Sequence, residues 1–285
     1  MPLFRRARRP PPLDPATLYT HAQLLPADLD TRASAAHLPP VPPLLRGRAL
    51  ITAARFSAHA DALATADTLR AIHHALEEDP PRPAGTPTGT PPSLHLRFCA
   101  ARALGQLAAH APNWPADGAG ALLPPLAELL GATSSVDGCL IAAEALSALL
   151  GRCTDAEAAA AEPWLCPRLL QSWAATPDEP IVASALVDCF KSLGRSEAAR
   201  SRLATALVPA ICQVATLAQA SLAGGGVGGG GGYSYAPLDT ALELLNAILL
   251  RRWPPSIQPP PLLEGSLLPT LLDIVPGITR PPPPP

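Results

Sequence analysis

The sequence predicts an all-α repeat protein of about five helix pairs, and three observations predict it. First, a phrase Leu-x-Pro-x-(Leu/Ile) occurs four times, as Leu122-Leu123-Pro124-Pro125-Leu126, Leu165-Cys166-Pro167-Arg168-Leu169, Leu207-Val208-Pro209-Ala210-Ile211 and Leu267-Leu268-Pro269-Thr270-Leu271. Its prolines are 43, 42 and 60 residues apart, the last gap being lengthened by the glycine run 224–232. Second, a small-residue pattern recurs in phase with it: Ala100-Ala101-x-x-Leu104, Ala142-Ala143-x-x-Leu146, Ala183-Ser184-x-x-Val187 and Thr240-Ala241-x-x-Leu244. Third, hydrophobic residues make up 48 % of the chain but aromatics only 4 %, which favours helices over a β sandwich. A period of about 40 residues with two helices per unit is that of a HEAT/armadillo-like α-solenoid.

Residues 1–43 read as a disordered Pro/Arg-rich segment, with Pro10-Pro11-Pro12, Pro39-Pro40 and Pro42-Pro43 and little periodicity between them. Its cluster Arg5, Arg6, Arg8 and Arg9 reads either as a solvated basic tail or as a localisation or transit signal, and no secretory h-region follows.

The solenoid is expected over 44–275, with loops at 80–92 and 221–236 and a Pro-rich tail at 276–285. A helix over 44–59 carries Leu45, Ala49, Leu50, Ala53 and Phe56 at helical spacing. Its partner, 61–78, turns Leu63, Leu69, Ile72 and Leu76 inward and stops at Pro80-Pro81. The second pair is 93–111 with 122–130. The third is 136–150 with 163–174, joined by an alanine-rich segment. The fourth is 180–193 with 205–220, where Pro180 starts a helix at the position that needs no N–H. The fifth is 237–252 with 262–275. The uncharged stretch 205–223 is about long enough to cross a bilayer, but its Pro209, Gln213, Thr216 and Gln219 favour a buried solenoid helix.

In the second helix of each unit, positions −2, +2 and +5 from the proline are apolar (Ser172 excepted), a buried stripe at spacings of 4 and 3. Position +4 is always polar: Glu128, Gln171, Gln213 and Asp273. Position +1 shares that face and includes Arg168. These columns read either as a wet face or as a partner-facing track.

No catalytic constellation is legible. The run Gly224–Gly232 lacks the G-K-[ST] ending of a phosphate loop and reads as an entropic linker, so no cofactor is expected. The adjacent His73 and His74 point to different helix faces, and the six cysteines have neither C-x-x-C nor zinc-finger spacing, so no metal is expected. The cysteines read as small buried hydrophobes. A net charge of −2 provides no global attraction for nucleic acid or an anionic membrane. The four tryptophans lack the basic interleaving of a base-stacking surface. The chain therefore reads as non-enzymatic.

The stretch 177–211 (PDEPIVASALVDCFKSLGRSEAARSRLATALVPAI) resembles the karyopherin-β (importin-β) family of nuclear transport receptors, most of all its importin-nine branch. Pro180, Val182, Ala183, Ser184, Asp188, Phe190, Lys191, Leu193, Leu207 and Pro209 carry the likeness. Glu162-Pro163-x-x-Cys166-Pro167, Leu45-Arg46-Gly47-Arg48-Ala49-Leu50 and the run 96–104 (LRFCAARAL) extend it. It covers roughly 44–275 and corresponds to a central part of such receptors. The resemblance implies a HEAT solenoid shuttling between cytoplasm and nucleus. It implies basic cargo such as histones and ribosomal proteins, contact with nucleoporins, and control by the small GTPase Ran. It implies no site residue. The alternative from the residues alone is a HEAT-repeat scaffold or adaptor unrelated to transport.

Overall fold

The computed structural model describes residues 42–56, 62–77, 94–115, 119–176, 179–223 and 236–249. Among these the regular structure is entirely helical. The expected N-terminal segment, the loop 80–92, the glycine run, the helix 262–275 with Pro269 and Asp273, and the tail lie outside the described residues. The chain divides at Pro115 into two compact units.

The first unit holds α1 (Pro43–Arg55), α2 (Ala62–Glu77) and α3 (Leu94–His110), with α3 packed on both others. Pro43 opens α1 where an N–H is not needed. The face that α1 buries is Gly47, Leu50 and Ala54; of the expected row Leu50 is buried, whereas Leu45 is 54 % exposed and Ala49, Ala53 and Phe56 are half-buried. The cause is Gly47. A Cβ there would lie 2.8 Å from both Cβ and Sγ of Cys99, so the missing side chain brings the backbone of α1 against α3 and rotates the buried stripe towards it. In α2 the stripe is Thr65, Leu69, Ile72 and Leu76. Leu63, expected inward, is 67 % exposed, because it lies outside that 4-3-4 spacing.

The second unit is longer. A 3₁₀ turn (Gly120–Leu122) leads into α4 (Leu123–Ala132), followed by α5 (Val136–Leu150), α6 (Asp155–Ala175), α7 (Pro180–Leu193), α8 (Glu197–Ala223) and α9 (Ala236–Leu249). Helices α5 and α7 match their expected limits. α6 and α8 begin eight residues earlier than expected, at 155 against 163 and at 197 against 205. The alanine-rich segment is thus the opening of α6 and not a joint, since alanine is the strongest helix former. Pro124 sits in the first turn of α4, whereas Pro163, Pro167 and Pro209 are inside helices. None of the described helices is long and apolar enough to cross a membrane.

Helices α5, α7 and α9 follow one another as one layer, and α4, α6 and α8 as a second. Between layers the close approaches run from each second helix to the first helix of the next unit: α4 to α5, α6 to α7, α8 to α9. The pairing expected within units, α5 with α6 and α7 with α8, is the looser one. The small-residue columns explain the first layer. Ala142, Ala143, Ala183, Thr240 and Ala241 are all buried, and the thiol of Cys189 on α7 donates to the carbonyl of Ala143 on α5 across 3.2 Å.

The start of α6 is fixed by a capping box. Glu157 Oε2 accepts from the backbone N–H (2.8 Å) and hydroxyl (2.9 Å) of Thr154, whose Oγ1 accepts from the Glu157 N–H at 3.3 Å. Glu157 Oε1 also accepts from the Gly120 N–H at 3.1 Å, tying the entry of α4 to α6. Burial pushes the Glu157 carboxyl up, but the three hydrogen bonds from Thr154 and Gly120 outweigh it and hold the group below the usual glutamate range. A folded pKa below the unfolded one gives stability that is present above the unfolded value and lost as pH falls through the folded one. Replacing Glu157 by Gln, which keeps one acceptor oxygen but loses the charge and the second, should lower stability at pH 7 by about 0.5 kcal/mol. In acid melts the two proteins should converge once pH is below the native glutamate's titration. A pH-independent difference would contradict this.

Candidate partner-facing surface

The column Glu128, Arg168, Gln171 and Gln213 lies on the second-helix layer, and all four side chains are exposed. Asp273, the last member, lies outside the described residues. Behind the column the stripe is dry: Leu122, Leu165 and Leu207 at −2 and Leu126, Leu169 and Ile211 at +2 are at most 3 % exposed. The stripe is wider than the spacing indicated, since Leu123, Cys166 and Val208 at −1 are buried as well. At +5, among the described residues, only Leu129 is buried; Ser172 and Val214 are half-buried. Position +1 does not form a uniform wet row. Pro125 is buried and Ala210 half-buried, so among the described members of that row only Arg168 is exposed. Trp164 adds an aromatic side chain, 36 % exposed, one helical turn before Arg168.

Three polar links that no local pattern announces hold the layers in register. The guanidinium of Arg202 on α8 donates from Nε to Glu162 Oε2 of α6 at 2.6 Å and from Nη2 to the carbonyl of Ala159 at 2.9 Å. Glu162 is only 4 % exposed, so its charge is paired where water hardly reaches it. Pro163 has no N–H to give to Ala159, four residues back, and Arg202 supplies the missing donor from another helix. The third link joins α7 to α9. Lys191, the chain's single lysine, contacts Glu243 at 2.6 Å and Asp188 at 3.1 Å. Its hydrogen bond to Glu243 and the second carboxylate keep the ammonium charged beyond the ordinary lysine range, against a smaller opposing effect of burial.

The cysteines offer no nucleophile. Cys139, Cys166 and Cys189 are buried; Cys99, Cys153 and Cys212 are half-buried. Burial, aided by the neighbouring carboxylates of Glu157 and Glu162, pushes the thiols of Cys153 and Cys166 up to about 12, and the Cys189 thiol is pushed up further in the same way. They remain protonated at neutral pH and act as packing atoms. Among the described residues no three His, Cys, Asp or Glu side chains converge as a metal-ligand set.

No protein-family model matches this chain. A search of curated proteins found no match.

Proposed function

We propose that the chain is a non-catalytic, protein-binding segment of a nuclear import receptor of karyopherin-β type. It would carry basic protein cargo, such as histones and ribosomal proteins, through the nuclear pore under control of Ran, meeting nucleoporins between helices and working in both cytoplasm and nucleus. The observation that carries the binding part of this reading is the repeated cross-section of α4, α6 and α8. In each, a dry leucine/isoleucine stripe stands opposite an exposed polar side chain at the same step, the arrangement by which repeat proteins offer long surfaces to other proteins. The import part rests on the likeness of 162–212 to karyopherins. Affinity would come from surface complementarity along stacked helices, with Trp164 and Arg168 the residue types that most often anchor such contacts.

The test is a pull-down with the immobilised chain, core histones, and Ran loaded with GTP. Histone capture that Ran-GTP reverses is the expected result. Capture indifferent to Ran-GTP would replace this reading by that of a scaffold or adaptor. Capture of neither histones nor Ran would overturn it.

A further inference from the structure

The first-helix layer of the second unit presents a different face from the second-helix layer. Among the described residues each of its helices has one outward stripe: 137, 141 and 144 on α5; 181, 184 and 188 on α7; 239, 242, 243 and 246 on α9, all exposed except the half-buried Ile141 and Ser184. The spacings are those of one helix side. The stripes adjoin, because Lys191 of α7 reaches Glu243 of α9, and Cys189, next to Asp188, reaches Ala143, next to Glu144. These three helices carry five carboxylates and one ammonium, and that ammonium is taken by Asp188 and Glu243. Asp137, Glu144 and Asp239 are exposed and have no cationic partner among the described residues. Apolar side chains stand among them in water: Ile181 is 68 % exposed, Val136 40 % and Leu242 39 %. The second-helix layer has no such bias, for its charges are mixed in sign.

We infer that this first-helix face binds a cationic polypeptide segment whose apolar residues lie between its cations. Ile181, Val136 and Leu242 are the apolar anchors; Glu144, Asp137 and Asp239 receive the cations. Adjacent helix axes are about 8–10 Å apart and an extended chain advances about 3.3 Å per residue, so a segment crossing the layer meets a new helix at every third residue. The best-fitting segment has Arg or Lys at every third position and Leu or Val between. Charge complementarity chooses this occupant over an acidic or purely apolar one, since like charge would be repelled by the carboxylates of α5 and α9 that flank Ile181. The inference rests on the protein-binding reading above but not on nuclear transport. It assigns the basic partner to the layer opposite the polar column.

Fluorescence anisotropy with the full chain tests it. The probe is a labelled peptide of about a dozen residues with Arg at every third position and Leu between, against a twin with Glu for Arg. Binding of the arginine peptide alone is expected, weakening as salt is raised. The double variant Glu144→Gln/Asp239→Asn, and separately Ile181→Ser, should each weaken it about tenfold or more. Glu128→Lys on the other layer should leave it unchanged. Lys191→Gln should tighten it, by releasing two carboxylates. Thermal melts of each variant exclude unfolding as the cause. Equal binding by the double variant would overturn the inference. So would equal binding of the two peptides, or none. Loss confined to Glu128→Lys would also overturn it, while leaving the protein-binding reading standing on the second-helix column.

Discussion

Replacing Arg202 by Ala should destabilise the second unit by roughly 3 kcal/mol, near the low end of the range for breaking a buried ion pair. The low end applies because half of the Arg202 side chain faces water, whereas the Glu162 side chain is 5 % exposed. Two groups are stranded at once: a carboxylate that cannot regain its hydration, and the Ala159 carbonyl that Pro163 cannot serve. The second substitution decides the mechanism. Adding Glu162→Met to Arg202→Leu removes both charges and fills the space, and should recover most of the loss, since apolar replacements of buried pairs are often neutral. Urea denaturation of the parent, Arg202→Leu, Glu162→Met and the double variant gives the coupling directly. A single Arg202→Ala variant within about 0.5 kcal/mol of the parent would show that water already carries the Glu162 charge.

The second large effect is expected at Gly47. Alanine is the better helix former by about 1 kcal/mol, so an exposed helical glycine should gain from the change. At Gly47 the new Cβ would stand 2.8 Å from two atoms of Cys99, one of them the Cβ, which is fixed to the α3 backbone and cannot rotate away. Overpacking of this kind costs about 1–3 kcal/mol, leaving Gly47→Ala a net loss of up to about 2 kcal/mol. The same substitution at Gly131, in the last turn of α4, meets nothing within 4 Å and should stabilise by about 0.5–1 kcal/mol. Opposite shifts in melting temperature from one chemical change would separate close approach from helix propensity. A Cys99→Gly partner should rescue Gly47→Ala; failure to do so would place the strain elsewhere.

Most of the described helices were legible in the sequence, for reasons that are local. α5 and α7 begin where Ser135 and Pro180 stop an extended chain from continuing and end at glycine; both the cap and the 3.6-residue periodicity are short-range properties. The dry stripe at −2 and +2 was legible for the same reason. The helix starts at 155 and 197 were not. Internal prolines look like boundaries in a sequence, and only the donor brought by Arg202 shows how the first of them, Pro163, is accommodated within α6.

By itself, then, the sequence determined the helical class, the repeat spacing, the small-residue columns and the exposure of Glu128, Arg168, Gln171 and Gln213. The tertiary structure alone decided which side of a helix is inside and which helices approach most closely. Gly47 turned α1 by removing one Cβ, and Leu45 and Leu63 were left in water although their spacing looked inward. It also decided the polar links: Arg202 meets Glu162 across 40 residues and Lys191 meets Glu243 across 52, separations at which no sequence periodicity operates. Burial requires a partner surface, and charge pairing requires a through-space distance. Both are set by how the helices pack, and so the acidic, apolar-studded face of α5, α7 and α9 emerged only when three distant stripes came side by side.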